Sequence, residues 1–269
     1  MVTAIYPVQE AVERVGGDRV SVTNLTPPGV EPHDLELAPQ AVADIQSADV
    51  VFYLGGGFQP AVADAANEAE GSVVDLLAGL RPVVPDASAA EADLTVDPHV
   101  WLDPTRYRAL VAEVEQALTE ADPAGAATFA SNAASYDAEL GPLAGAFEAG
   151  LAHCERRTLV TNHAAFGYLA AAYGLSQEPI SGLAPDAEPS AQRLAELREL
   201  VQADHVTTVF TEDLVSPAVA ETLANEAGVS TEVLHTLEGL SQDEQAAGAD
   251  YGSQMRENLR RLRAALGCS

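Results

Sequence analysis

Lysine is missing altogether from this chain, whose 13 cationic side chains are all arginines set against 41 aspartates and glutamates. The formal charge of −28 excludes a nucleic-acid partner, because a polyanion is held by clustered cations and these arginines are scattered. Long apolar runs are missing too. Although 47 % of the residues are hydrophobic, no run approaches the roughly 20 residues that span a bilayer as a helix. Cysteine is scarce: Cys154 and Cys268 stand far apart without CxxC spacing, which excludes a zinc knuckle or redox motif and leaves a long-range disulfide open. The start of a secretory signal is also lacking. Met1 leads directly into the strand-like Val2-Thr3-Ala4-Ile5-Tyr6, as expected of a cytosolic chain or a trimmed mature one. What remains is a water-soluble globular chain, long enough at roughly 100 to 200 residues per domain for two modest domains. Its acidic excess draws cations from a distance, or else records an adaptation to salt or a compositional habit.

Short β-rich runs alternate with helix-like ones. Strands are expected at residues 2–6, 20–25, 50–54 and 73–77, with helices at 7–15, 39–47 and 60–70 that each begin at or near a proline. A second series places strands at 158–161, 206–210 and 231–234, and helices at 164–173, 190–203, 217–227 and 251–266. This alternation is the βαβ pattern of parallel sheets. Between the series, residues 104–152 are rich in Ala, Glu and Leu, and predict one helix ending near Glu120 and a long one from 123 to 152, kinked or weakened at Pro142. The fold expected is α/β: two lobes, each a parallel β-sheet flanked by helices, joined by one long α-helix. The divisions are a first lobe at 1–121, a linking helix at 122–153 and a second lobe at 154–269. Residues 82–97 read as a surface loop, and Gly55-Gly56-Gly57, without a following Lys and Ser or Thr, as a strand-end turn rather than a phosphate loop.

Of the 6 histidines, His33, His99 and His163 share a setting. His33 follows Pro28-Gly29-Val30-Glu31-Pro32, His99 lies in Asp97-Pro98-His99-Val100-Trp101, and His163 follows an apolar strand in Thr161-Asn162-His163. Ligands of parallel α/β sheets bind beyond the carboxyl ends of strands, and proline-bounded turns there hold imidazoles with little freedom. Three neutral imidazoles suit zinc, with a carboxylate or water completing a tetrahedron. Their separations are too long for a local motif, so the residue types alone leave a metal site and capping histidines in turns both open. His153 and His205 read as ordinary surface positions.

The strings at 27–34, 97–104, 159–168 and 210–212, with the closing helix at 251–266, resemble the zinc and manganese substrate-binding proteins of bacterial ABC importers over nearly the whole chain. The resemblance implies two α/β lobes with a metal ion in the cleft between them. It also implies metal-binding histidines at His33 and His99 and a third ligand at His163, where manganese-preferring members usually carry glutamate. The zinc-binding branch is therefore expected, with zinc(II) as transported ligand and an ABC importer permease as partner. For the fourth position the family's carboxylate falls in Leu237-Glu238-Gly239-Leu240, pointing to Glu238, with water or His235 as the alternatives. Glu31, Asp34, Asp97, Asp103 and Glu212 are candidate acceptors that would fix imidazole tautomers, Asp103 and Glu212 alternatively helix caps. The histidine-rich insertion of many zinc-binding relatives has no counterpart in the loop at 82–97. A bridge between Cys154 and Cys268 would argue for an extracytoplasmic location, periplasmic or cell-surface.

The expected function is thus an extracytoplasmic, monomeric zinc-capture protein that makes and breaks no bond. Three rivals remain: a zinc-dependent hydrolase using the same three histidines with Glu212 or Glu238, a manganese-specific member of the family, and an adhesin role credited to some relatives. No GxSxG elbow or HExxH helix accompanies the hydrolase reading.

Overall fold

Strands rich in Val, Phe and Thr assemble into two parallel sheets, four strands in each. In the computed structural model, which describes residues 1–33, 35–80 and 96–269, the first sheet comprises β1 (Val2–Thr3), β2 (Thr23–Asn24), β3 (Val50–Tyr53) and β4 (Ser72–Asp75) in the order β2-β1-β3-β4. The second comprises β5 (Thr158–Thr161), β6 (Ser176–Pro179), β7 (Thr208–Thr211) and β8 (Ser230–Val233) in the order β6-β5-β7-β8. Both have the same topology, and every strand pair is parallel. Each therefore presents its carboxyl edge to one side, where α/β proteins bind ligands.

Prolines open the first helices: α1 (Tyr6–Gly16), α2 (Pro39–Ser47), α3 (Pro60–Ala66) and α4 (Pro104–Ala121), the last capped by Asp103, whose Oδ1 accepts the Thr105 N–H at 2.8 Å. A proline there costs nothing, because the first turn's N–H groups have no helical partner. The long helix α5 (Ala126–Leu151) leads into the second lobe, which adds α6 (Gly167–Tyr173), α7 (Ala191–Ala203), α8 (Ala218–Ala227), α9 (Gln242–Ala246) and α10 (Tyr251–Leu266). Gly174, Gly228 and Gly267 end α6, α8 and α10 in the left-handed conformation that glycine adopts without penalty.

The largest apolar cluster does not respect the lobe division. It runs from Ile5, Phe52 and Trp101 through Tyr107 and Phe147 to Leu159, Phe210, Leu234 and Tyr251, while smaller clusters back the outer face of each sheet. A dense shared core resists relative motion of its parts. Glu10 lies at this junction. Its Oε1 accepts the Tyr136 hydroxyl of α5 at 2.8 Å, and its Oε2 accepts the Tyr6 hydroxyl and, at 2.8 Å, the N–H of Tyr251 at the start of α10.

Several expectations change in detail. The run at 2–6 is strand only over Val2–Thr3, because the chain bends into α1 at Tyr6. The second sheet gains β6, whose Ser-Gln-Glu-Pro sequence has no apolar run; it is an edge strand, joined to β5 through backbone pairing. α9 also went unread. α5 continues as helix through Pro142, with Leu140, Leu143 and Phe147 buried around the missing hydrogen bond, so packing overrides the proline. The turn at Gly55-Gly56-Gly57 follows β3, with φ of 72° and 90° at Gly56 and Gly57. Apart from Val96 and Asp97, the loop read at 82–97 lies outside the described residues. Cys154 and Cys268 are bridged, with Cα atoms 3.8 Å apart.

Candidate metal centre

Each donor arrives from the carboxyl edge of a sheet. His33 follows β2 in its proline-bounded turn, His99 lies beyond β4 just before a short 3-10 turn at Val100–Leu102, His163 comes two residues after β5, and Glu238 five after β8. Phe58 packs edge-on against His33, its ring centroid 4.7 Å away, and Trp101 lies 5.2 Å from the His99 ring, so apolar walls set both imidazoles. Trp101 also reaches the opposite lobe, its Nε1–H donating to Thr236 O at 2.7 Å.

The four side chains converge on one point. Oε1 of Glu238 lies 3.2 Å from His33 Nε2, 3.0 Å from His99 Nε2 and 3.5 Å from His163 Nε2, and the last two nitrogens are 3.3 Å apart. Four donors at zinc's usual N and O distances, arranged tetrahedrally, stand roughly 3.3 Å from one another. The observed spacings thus suit a small ion at their centre. The site is closed to solvent, with side-chain exposures of 4 % for His33, 0 % for His99 and His163, and 1 % for Glu238.

Carboxylates behind the rings decide which nitrogen faces inward. Asp97 Oδ1 accepts both the backbone N–H of His99 at 2.9 Å and its Nδ1–H at 2.8 Å. Glu212 does the same for His163, taking the backbone N–H at 3.0 Å and Nδ1–H at 2.7 Å. With Nδ1 donating, each Nε2 turns a lone pair toward the centre once its proton is displaced.

Electrostatics follows this wiring. Burial pulls His33 below the ordinary imidazole pKa, despite its contact with Glu238. At His99 burial acts in the same direction but is outweighed by hydrogen bonds to Asp97 and Glu238, and the pKa rises. At His163 burial is outweighed by the charge and hydrogen bond of Glu212, and the pKa lies well above the ordinary value. Burial would raise Glu238, yet hydrogen bonds from His163, His33 and His99 hold it well below the carboxylate range. The raised His99 and His163 favour protons that balance the carboxylates, and a dication can take the place of those protons.

Of the acceptors expected from sequence, Asp97 and Glu212 bond to rings. Among the described residues Glu31 accepts only the backbone N–H of His33, at 3.1 Å. Its burial beside the Glu238 charge pushes its carboxyl up to about 8, and its Oε2 has no partner among the described residues. Asp103 caps α4 instead of binding a ring, the alternative role foreseen for it, and Asp34 lies outside the described residues. His235 is not among the converging donors; it belongs to a neighbouring group with Asp213 and Glu244. His153 and His205 are exposed. Unread in the sequence were Thr236, whose hydroxyl donates to Glu238 Oε2 at 3.1 Å, and Asn258, fully buried on α10 and bonded to the His235 backbone.

The family described as zinc-uptake complex component A, periplasmic, matches residues 1–265. The zinc-binding lipoprotein AdcA of Streptococcus pneumoniae is 39 % identical over 275 residues, covering 98 % of this chain and 55 % of that protein. This chain therefore spans about half the length of that relative. The high-affinity zinc uptake system protein ZnuA of Bacillus subtilis is 36 % identical over 277 residues, covering 99 % of this chain and 87 % of the other. Among solved structures, the Zn(II)-bound ZnuA-like domain of the pneumococcal protein superposes with a TM-score of 0.82 at 39 % identity, covering 98 % and 97 % of the two chains.

Proposed function

The chain belongs to the periplasmic zinc-uptake complex component A family, and from that premise we propose that it captures zinc(II) outside the cytoplasm and delivers it to the permease of an ABC-type importer. The observation that carries the reading is the mutual spacing of four buried donors, 3.0 to 3.5 Å wherever two of them touch. His33, His99 and His163 would ligate through Nε2 and Glu238 through Oε1, the first two from the lobe at 1–121 and the others from the lobe at 154–269, with 122–153 linking them.

Zinc is the ion that three imidazoles and one carboxylate favour; manganese prefers more oxygens and six ligands. The family is a metal-binding transport component. A catalytic zinc needs an open corner for water, whereas here Glu238 fills the fourth corner and is fully buried. The role proposed is therefore capture without turnover. A surface carrying a formal charge of −28 gathers cations, the ion sheds its water as it enters, and protons leave the imidazoles as it binds. The shared core supports a site largely formed in advance. An extracytoplasmic location agrees with the Cys154–Cys268 bridge and with the lipoprotein name of the pneumococcal relative. The chain is proposed to act as a monomer.

Zinc titration of the metal-free protein against a competing chelator tests this directly. One tight site is expected, lost by a factor above about 100 in His163→Ala. Absence of a tight site in wild type, or zinc-restored turnover of ester or phosphate substrates, would overturn the reading.

A further inference from the structure

Beside the four donors lies a second cluster, Asp213, His235 and Glu244, with ligand atoms within 4.8 Å of one another. His235 is 3 % exposed, and its Nε2 sits 3.2 Å from Glu244 Oε1 and 3.5 Å from Asp213 Oδ2, well aligned on neither. Distances alone would make this a second cation site.

The other ring nitrogen decides against it. Leu237 N–H donates to His235 Nδ1 at 2.8 Å, and a ring nitrogen that accepts a hydrogen bond carries no proton. The ring's proton is then on Nε2, which has no lone pair left for a metal. His99 and His163 are wired the opposite way, with Nδ1 donating and Nε2 facing the centre. His235 thus turns its Nε2–H toward two carboxylates, of which Glu244 is the nearer. Its carboxyl is held at about 2, first by the His235 ring and then, against some burial, by Ser241.

The Nδ1 contact acts on the turn that delivers Glu238. Leu237, the residue before Glu238, is fully buried and has φ of 56°, a left-handed conformation that a leucine rarely adopts. Several bonds hold the turn there. His235 N–H donates to Asn258 Oδ1 at 2.9 Å, Asn258 Nδ2–H donates to His235 O at 2.7 Å, and Trp101 Nε1–H donates to Thr236 O at 2.7 Å. Among the described residues, only the His235 ring holds the N–H of Leu237 itself. The ring closes the turn on one side, and on the other its Nε2 faces the carboxylates of Glu244 and Asp213, the latter next to the Glu212 that orients His163.

We propose that His235 is a positioning residue of the metal site, which through its fixed tautomer sets the 235–238 turn so that the Glu238 carboxylate meets the three imidazoles. The inference rests on the zinc-capture reading above. Its test uses the full chain with two substitutions that divide the ring's functions. His235→Asn keeps an acceptor near the Nδ1 position, and His235→Gln keeps a donor reaching toward the carboxylates but loses the turn contact. Each is made in wild type and in Glu238→Gln, and zinc affinity by chelator competition is read with the melting temperature of the metal-free protein.

His235→Gln is expected to weaken zinc binding by about 10-fold or more, as for supporting residues of metal sites generally, and His235→Asn to recover most of that loss. In the Glu238→Gln background the loss from His235→Gln should vanish, which a general loss of stability would not produce. Nitrogen NMR should find Nδ1 unprotonated and Nε2 protonated with and without zinc. The proposal is overturned by equal losses in both backgrounds, by a protonated Nδ1, or by a second zinc that His235→Gln removes. A tight wild-type site indifferent to His235→Gln overturns this inference alone, whereas a wild type with no tight site overturns the capture reading and this inference with it.

Discussion

Glu212 grips His163 twice: one carboxylate oxygen takes the backbone N–H at 3.0 Å, the other the ring Nδ1–H at 2.7 Å. A single side chain at the end of β7 thereby sets both the path of the chain after β5 and the tautomer of the imidazole it carries. Glu212→Gln keeps the shape but replaces one acceptor with an N–H donor. Turned toward the ring, that donor would force the proton onto Nε2 and remove the lone pair meant for the ion. Zinc affinity is expected to fall by about 10- to 100-fold, measured by chelator competition, with the circular dichroism spectrum unchanged. An unaltered affinity would mean that packing alone holds the His163 ring.

The same wiring makes proton and metal compete. The folded-state pKa values of His99 and His163 lie above the ordinary 6.5, so their stabilising contribution is complete below that pH and is lost as pH rises through the folded values. Glu238 lies below its ordinary 4.5, so its contribution is present above that pH and is lost on acidification through the folded value. These three groups together therefore favour the metal-free protein most between 4.5 and 6.5, while the lowered His33 and the raised Glu31 work against them there. Zinc affinity should run the other way above that window, strengthening as the imidazoles lose their protons. Thermal melts with and without saturating zinc at pH 6 and pH 8 check this: the zinc-induced rise in Tm is expected to be larger at pH 8.

The parallel architecture was legible because it rests on local signals: alternating apolar runs, and prolines at helix starts. β6 was not, since an edge strand needs only backbone pairing on one side and Ser176-Gln177-Glu178-Pro179 carries no pattern of burial. At the site, the proline-bounded turns marked out His33, His99 and His163, but only the family resemblance pointed to Glu238. What holds Glu238 was illegible. Trp101 and Asn258 act through contacts between separate elements, and a tryptophan or asparagine in sequence gives no sign of such a partner, while Thr236 reaches Glu238 within their shared turn. His235 read as a rival ligand because residue type says nothing of tautomer; the Leu237 N–H decides that.

The Cys154–Cys268 bridge ties residues 114 apart in sequence at the edge of the second sheet opposite the donors. Closing so long a loop in the unfolded chain is worth about 4 to 5 kcal/mol in the chain-entropy account. Cys154→Ser with Cys268→Ser should lower unfolding free energy toward that amount in urea titration, leaving zinc stoichiometry and affinity unchanged. A loss of zinc binding under native conditions would show that the bridge also shapes the cleft.

Glu10 tests whether the junction of the lobes is a mechanical element. It receives the Tyr6 and Tyr136 hydroxyls and the Tyr251 N–H, so Glu10→Ala strands the Tyr6 hydroxyl and the Tyr251 N–H and leaves the Tyr136 hydroxyl its longer, 3.4 Å bond to the Tyr107 oxygen. Each stranded donor costs about 1 to 3 kcal/mol before relaxation, and a total loss of about 3 kcal/mol or more is expected in denaturant unfolding. If the junction also limits opening of the cleft, zinc dissociation from the folded variant should be faster than from wild type, read by stopped-flow with excess chelator. Equal dissociation rates would confine Glu10 to stability.

Selectivity should be open to redirection through His163, the proposed ligand that faces Glu212. His163→Glu would supply the oxygen that manganese prefers, yet it would set a second carboxylate against Glu212, whose oxygens now accept two N–H groups from His163. Like charges at that distance in a buried site favour protonation of one of them, and a protonated carboxyl is a poor ligand. The single substitution should therefore lose zinc binding by about 100-fold or more without gaining manganese. Adding Glu212→Gln removes the repulsion and lets the amide donate to the new carboxylate. The double variant is expected to bind manganese more tightly than either single one, measured by competition with a fluorescent chelator. Manganese binding by His163→Glu alone, as tight as in the double variant, would show that Glu212 does not govern the charge at that corner.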